Sequence, residues 1–215
     1  MAAISIPAAS SMANPEPQGI RDQVRHLKKE RILAEAQRLF FERGFKGTSL
    51  DAIAEALDMT KPFVYGIYDK KTDILFDIAL RNIRTALQAI ESAIELPGSC
   101  RYRLAEAARR LTMVCIDHQE AVAVFFREEA FLDPEHVSVI NDFKEQVDRA
   151  LAGLLQQGVE AGEFKLQDVR TASLAIGGMI SWSYTWYRPA GRLSADELKE
   201  HMACYALRIA GAKDD

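Results

Sequence analysis

Apolar residues recur at helical spacing along almost the whole chain. Ile32, Leu33, Ala36, Leu39 and Phe40 fall at i, i+1, i+4, i+7 and i+8, the stripe of a helix with one buried face. This predicts a helix over residues 25–43, closed by Gly44 with Phe45 behind it. Thr48 and Asp51 have capping-box spacing, which predicts a second helix running to Leu57. Asp58 and Met59 form a turn. Thr60 caps a third, short helix, and Pro62 is tolerated in its first turn, where a backbone N–H has no partner anyway. Ile53, Leu57, Met59, Val64 and Ile67 face inward in this unit, and Ala54 is small where the two short helices approach.

Six further helices are expected: 71–94, stopped by Pro97-Gly98; 101–117; a short Phe-rich helix over 121–130; 133–161, ended by Gly162; 168–187, ended by Arg188-Pro189; and a last one to Ile209, opened by the capping box Ser194-x-x-Glu197. No run of strict alternation is bounded by turn residues, so no sheet is expected. The fold class is all-α with nine helices and no internal repeat.

Two short helices across a tight turn form a helix-turn-helix, which places the second helix in the DNA major groove. Lys61, Pro62, Phe63 and Tyr65 lie at the start of that helix, where side chains reach base edges. Lys61 suits guanine O6 or N7, and Phe63 suits a thymine methyl. Tyr65, Tyr68, Thr48 and Lys71 are assigned to phosphates, with Thr60 at the cap. Arg25, Lys28, Lys29 and Arg31 form a basic run for the flanking backbone.

Charge sharpens this picture. The net charge of −4 alone argues against nucleic acid. Residues 21–71, however, carry 11 Lys+Arg against 8 Asp+Glu, whereas residues 72–215 carry 16 against 22. A basic head on an acidic body suits a protein that meets phosphate with one end. Hydrophobic content of 48% with 27% charged residues is ordinary for a globular chain. No apolar run reaches the ~18 residues of a membrane helix. Residues 1–20 lack the basic start and apolar core of a signal peptide and read as a disordered tail, with Met12 an alternative start. Cys100, Cys115 and Cys204 have no paired spacing and are expected to be reduced, buried thiols in a cytoplasmic protein. His26, His118, His136 and His201 show no metal-ligand spacing, so no metal and no cofactor is expected.

The head resembles the DNA-binding domain of the TetR family of bacterial transcriptional regulators. The residues that carry the likeness are Arg31-Ile32-Leu33, Ala36, Leu39-Phe40, Gly44-Phe45, Thr48-Ser49-Leu50, Ile53-Ala54, Thr60-Lys61, Val64-Tyr65, Tyr68, Lys71 and Ile74-Leu75, all in one fixed spacing. Two positions depart from the family pattern: Asp58 stands where Gly is usual in the turn, and Tyr68 where Phe is usual. Asp tolerates the left-handed region, so the turn survives. The resemblance implies three helices in a DNA-binding domain, residues 21–70, and six in a ligand-binding and dimerisation domain, residues 71–215. It also implies a dimer on a near-palindromic double-stranded operator and a small-molecule effector that releases it. The stretch from Ile176 to Ser194, with Trp182, Trp186 and Arg188-Pro189, is similar to a subgroup governing lipid, steroid or aromatic-acid breakdown, several members of which answer to acyl-CoA thioesters.

In this family the last two helices pair across a dimer. Their apolar faces here are Ala172, Ala175, Met179 and Trp182 on one helix, and Leu198, Met202, Tyr205 and Ile209 on the other. A surplus of large apolar residues points to an effector pocket, with Leu87, Met113, Phe125, Phe126, Phe143, Met179, Trp182 and Trp186 as lining, joined by Leu80, Ile83 and Phe131. Arg127 and Arg188 are cations available for the phosphates of an acyl-CoA. A multidrug-responsive repressor of an efflux pump is the alternative, and activation in place of repression stays open. An enzyme finds no support: the chain has no G-x-S-x-G, phosphate loop or dinucleotide glycine motif.

Overall fold

The computed structural model describes residues 17–212, and every regular element among them is helical. They are α1 Pro17–Arg43, α2 Leu50–Ala56, α3 Lys61–Tyr65, α4 Lys71–Ile94, α5 Cys100–Asp117, α6 Gln119–Glu128, α7 Pro134–Glu160, α8 Val169–Ser181, α9 Ser183–Trp186 and α10 Ala195–Ile209. A 3₁₀ turn, Glu129–Phe131, follows α6. All nine expected helices are present, the eighth split in two. None of the described helices is long and apolar enough to cross a membrane.

Several boundaries differ from the sequence expectation. Helix α1 begins at Pro17, inside the segment read as a tail; residues 1–16, including the alternative start Met12, lie outside the described residues. The cap of α2 is Ser49, whose Oγ accepts from Ala52 N, and not the Thr48–Asp51 pair. The Thr48 hydroxyl turns back to donate to Leu39 O and Gly44 O. Thr60 sits at the cap position of α3 but its side chain makes no cap bond. The eighth helix breaks at Trp182, where the Ser181 and Thr185 hydroxyls donate to Gly178 O and Trp182 O and compete with the helical ladder. The Ser194–Glu197 capping box forms as expected.

Two hydrophobic cores organise the helices. One joins Ile32, Leu39 and Phe40 of α1, Ile53 of α2 and Val64 of α3 to Ile74, Leu75 and Ile78 of α4 and Val124 and Phe125 of α6. The other packs Ile90 and Ala93 of α4 with Leu104, Leu154, Ile176, Met202 and Ala206 from α5, α7, α8 and α10. Helix α4 therefore enters both. At the end of α7, Gly162 adopts φ 71° and folds the chain back so that Phe164 covers Gly158. A Cβ on Gly158 would lie 2.1 Å from the Phe164 ring, so only glycine fits. Cys100 and Cys115 are buried and unpaired, and burial pushes the Cys115 thiol up to about 12. Cys204 is exposed on α10, contrary to expectation, because its position faces away from the buried stripe of Leu198, Met202 and Ala206.

Asp58 is the one non-glycine residue with positive φ among the described residues, at 52°, which fits its place in the turn between α2 and α3. A side chain there carries roughly 1 kcal/mol of left-handed strain. Asp58→Gly is expected to raise the thermal midpoint by about 1–3 °C. Circular-dichroism melts check this, and an unchanged or lower midpoint counts against strain at the turn.

Candidate nucleic-acid interface

The α2–α3 unit is held from inside and open outside. Ile53, Ala54 and Val64 are buried, and Met59 N donates to Ala54 O at 2.9 Å to close the turn. That anchoring leaves Thr60, Lys61, Pro62 and Tyr65 exposed along the outer side of α3. Tyr65 is 46% exposed, unusual for a tyrosine in a short helix over a core. Asp51 on α2 gathers two of these side chains: Lys61 Nζ lies 2.6 Å from its Oδ2, and Tyr65 OH donates to its Oδ1 at 3.3 Å. The hydrogen bond from Lys61 holds the Asp51 carboxyl below its ordinary value and raises the Lys61 ammonium. Both groups are solvated, so the pair sets orientation more than stability.

Phe63 is half-buried against the head core, and Lys28 Nζ of α1 stands 4.3 Å over its ring. A thymine methyl would have to displace that cation, so the assignment of Phe63 to a base is weakened. Its neighbour in the basic run, Lys29, pairs with Asp77 at 2.7 Å, while Arg25 and Arg31 are exposed.

Three of the residues assigned to phosphates are turned inward. Thr48 is buried, its hydroxyl satisfied by the Leu39 and Gly44 carbonyls. Tyr68 is buried and donates to Asp77 Oδ2 at 2.6 Å; burial, then that bond, pushes its phenol upward. Lys71 Nζ donates to Phe45 O at 2.7 Å and Thr48 O at 2.9 Å and lies 4.3 Å over the Phe45 ring. Desolvation lowers its ammonium. These residues brace the head. The spacing of polar groups resembles a phosphate-contact pattern, but their direction was invisible in it. Conversely, Lys46, Ser49 and Lys70 border an exposed depression beside Tyr65 and were not singled out from sequence; their only signal is that they flank the same segment.

The expected effector lining does not converge as a whole: only Met179, Trp182 and Trp186 share one groove. Phe125 and Leu87 are buried, Phe125 within the head core. Met113 and Phe143 are half-buried, with the Arg84 guanidinium 5.0 Å from the Phe143 ring. Phe126 is exposed and stacks on Tyr184 at 5.4 Å. Arg127 is not a pocket cation: it donates to Phe40 O and Phe41 O and so caps the end of α1. Arg188 is likewise engaged by its own turn, donating to Thr185 O and Tyr187 O. Trp182 and Trp186 share an open groove with Met179, Leu198, Met202 and Tyr205, where Trp182 is 59% exposed. Helical periodicity told which side of each helix is apolar, not which neighbour meets it. Asp73, Asp133 and His136 do come together, with ligand atoms within 4.8 Å, although the histidine spacing gave no sign of it. The Lys70 ammonium 3.9 Å from Asp133 and the two helix N-termini there disfavour a cation.

A family model described as bacterial regulatory proteins, tetR family, matches residues 32–78, and one described as tetracyclin repressor-like, C-terminal domain, matches residues 97–210. The HTH-type transcriptional repressor KstR2 of Mycobacterium tuberculosis is 23% identical over 179 residues, 82% of this chain and 89% of its own. A bacterial regulatory protein in the tetR family from Rhodococcus RHA1 superposes with a TM-score of 0.81 at 26% identity, covering 87% of this chain and 98% of its own. AibR, solved in complex with isovaleryl coenzyme A and operator DNA, shares the fold with a TM-score of 0.75 at 24% identity, covering 86% and 100%. The chain belongs to the tetR family: it is a ligand-responsive, DNA-binding transcriptional regulator and not an enzyme.

The inward placement of Lys71 makes a distinct prediction. Lys71→Met removes two charge-assisted bonds and leaves two carbonyls without that donor. It is expected to cost about 2 kcal/mol and to lower the melting midpoint by about 4–8 °C. Tyr65→Phe is expected to leave the midpoint within about 1 °C. If Lys71→Met melts like the wild type yet loses DNA affinity, its role is contact and not bracing.

Proposed function

We propose that this tetR-family regulator represses transcription by binding a near-palindromic operator as a homodimer, and that an acyl-CoA or similar apolar thioester releases it. The observation that carries the DNA half is the outer side of α3. Thr60, Lys61, Pro62 and Tyr65 are presented together on a helix whose inner residue, Val64, is fully buried. Such a helix can enter a groove without giving up its own packing. Lys61 reads a base edge once DNA competes with Asp51, and Lys46, Ser49, Tyr65 and Lys70 hold phosphates.

A single short reading helix covers little DNA, so two copies are needed for tight and specific binding. The groove between α8, α9 and α10 is the surface for this. Trp182, Trp186 and Tyr205 are each 45–59% exposed there, an apolar patch of the kind that marks protein contacts. Repression is supported by the likeness to KstR2, a transcriptional repressor, and the thioester assignment by the shared fold of AibR, whose structure holds isovaleryl coenzyme A and operator DNA. Release is a population shift: the thioester acts only by binding better to the state in which the two reading helices are wrongly spaced.

The purified protein is expected to prefer DNA from its own promoter region over random DNA by at least about 10³-fold, with affinity falling steeply with salt. Lys61→Ala should cost roughly 1–3 kcal/mol on the operator and much less on random DNA. Fluorescence anisotropy measures both, and equal affinity for operator and random duplex would sink the reading. Trp182→Arg is expected to convert a dimer into a monomer, read as mass by light scattering at micromolar concentration; a wild-type monomer argues against the dimer. Isovaleryl-CoA should release the operator where free CoA and isovalerate do not.

A further inference from the structure

Asp51 is an acidic side chain on the face offered to a polyanion. It projects from the first turn of α2 and is 45% exposed; Lys61, across the turn on α3, is 65% exposed. Asp51 Oδ2 lies 2.6 Å from Lys61 Nζ, and Tyr65 OH donates to Asp51 Oδ1 at 3.3 Å. An exposed carboxylate beside phosphates costs affinity, and an exposed ion pair adds little stability. The use of the acid must therefore lie in what it and Lys61 present together.

The pair presents a donor and an acceptor side by side. An ammonium carries three N–H groups and Asp51 engages one; a carboxylate has about four acceptor sites, and Lys61 and Tyr65 take two. The hydrogen bond from Lys61 holds the Asp51 carboxyl below its ordinary value, so the group stays ionised and only accepts. The major-groove edge of a G·C pair is the complement of this arrangement. Guanine O6, an acceptor, stands next to the cytosine N4 amino group, a donor, and the two are bonded to each other at about 2.9 Å. The 2.6 Å between the Lys61 and Asp51 atoms is close to that spacing. A T·A pair has the same keto–amino order, but a methyl group stands where guanine offers N7 as a second acceptor. Turned round, either pair sets its keto oxygen against the carboxylate and its amino group against the ammonium.

We infer that Asp51 and Lys61 read one base pair of each half-site as a unit: Asp51 accepts from the amino group of cytosine while Lys61 donates to the guanine of the same pair. This rests on the DNA-binding reading of α3 and goes beyond it by adding a specificity-determining residue on α2 and naming the pair. Lys61 does not have to leave Asp51 on docking, since one N–H stays on Oδ2 and the others turn to O6 and N7. Tyr65 bonds the other carboxylate oxygen and fixes the plane of the acceptor. The acid weakens every nonspecific complex, and this is offset only where an amino group meets it, which sharpens the choice between sites.

The test is selection of bound duplexes from a random library with the full chain. Fluorescence anisotropy then follows, with all four base pairs placed in turn at each position of the selected half-site. Lys61→Ala identifies the pair, as the position whose preference it flattens. There the wild type is expected to favour G·C in one orientation over the same pair flipped by roughly tenfold to a hundredfold, with T·A in between. Asp51→Asn offers both a donor and an acceptor, and Asp51→Ala offers neither. Each should bring the two orientations within about threefold at that position alone, and bind random duplex at least as tightly as the wild type. Unchanged base preference in both Asp51 variants overturns the inference while the DNA-binding reading stands. So does a change at a position that Lys61→Ala leaves alone, or an equal weakening on all duplexes, which is what a purely structural Asp51 would give. If the wild type selects no sequence at all, both readings fall.

Discussion

Helix α4 is buried twice, and the rest of the molecule follows from that. Its first half places Ile74, Leu75 and Ile78 in the core beneath the helix-turn-helix; its last turns place Ile90 and Ala93 in the core of the α5–α7–α8–α10 body. A fully buried aliphatic side chain contributes roughly 1.5–3 kcal/mol, so neither core can release α4 without a large loss. The helix is thus the common wall of two packed units. A rotation or slide of α4 imposed in one core must be accommodated in the other, because close-packed interiors transmit displacement and do not absorb it.

Polar side chains lock the head to this wall at a second place, the end of α1. A helix C-terminus leaves carbonyls without intrahelical donors. Around this helix end and the loop that follows it, three elements place side-chain donors on backbone carbonyls. Thr48, from the connection into α2, donates to Leu39 O and Gly44 O. Arg127 of α6 donates to Phe40 O and Phe41 O, and Lys71 of α4 to Phe45 O and Thr48 O. The clasp ties α1, the start of α4 and α6 around one point, so α3 is aimed by the body as well as by its own short core. It also gives the polar groups of Thr48, Lys71 and Arg127 a structural use: their donors go to backbone carbonyls.

Outside these two constraints the structure is open. The α8–α10 groove exposes its tryptophans, and the α1–α4–α6 junction keeps a cleft lined by Leu33, Gln37, Ile78 and His118. The first is an outward apolar surface; the second is an inward one of mixed character.

Much of this was legible in the chain itself. The helical stripes, the glycine stops at Gly44 and Gly162, the Ser194–Glu197 box and the Asp58 turn are local properties, governed by residues within one or two turns of each other. Spacing alone therefore determined the all-helical order and the place of the short reading helix. Direction was not legible. Thr48, Tyr68 and Lys71 look alike in sequence to Lys61 and Tyr65, and only packing decided that the first three turn inward to carbonyls and Asp77 while the last two stay at the surface. The same holds for Arg127 and for the tryptophans, whose partners or exposure depend on helices many residues away. A stripe fixes a side of a helix through local geometry, whereas which element covers that side is settled by the whole chain minimising exposed apolar surface and unpaired polar groups at once.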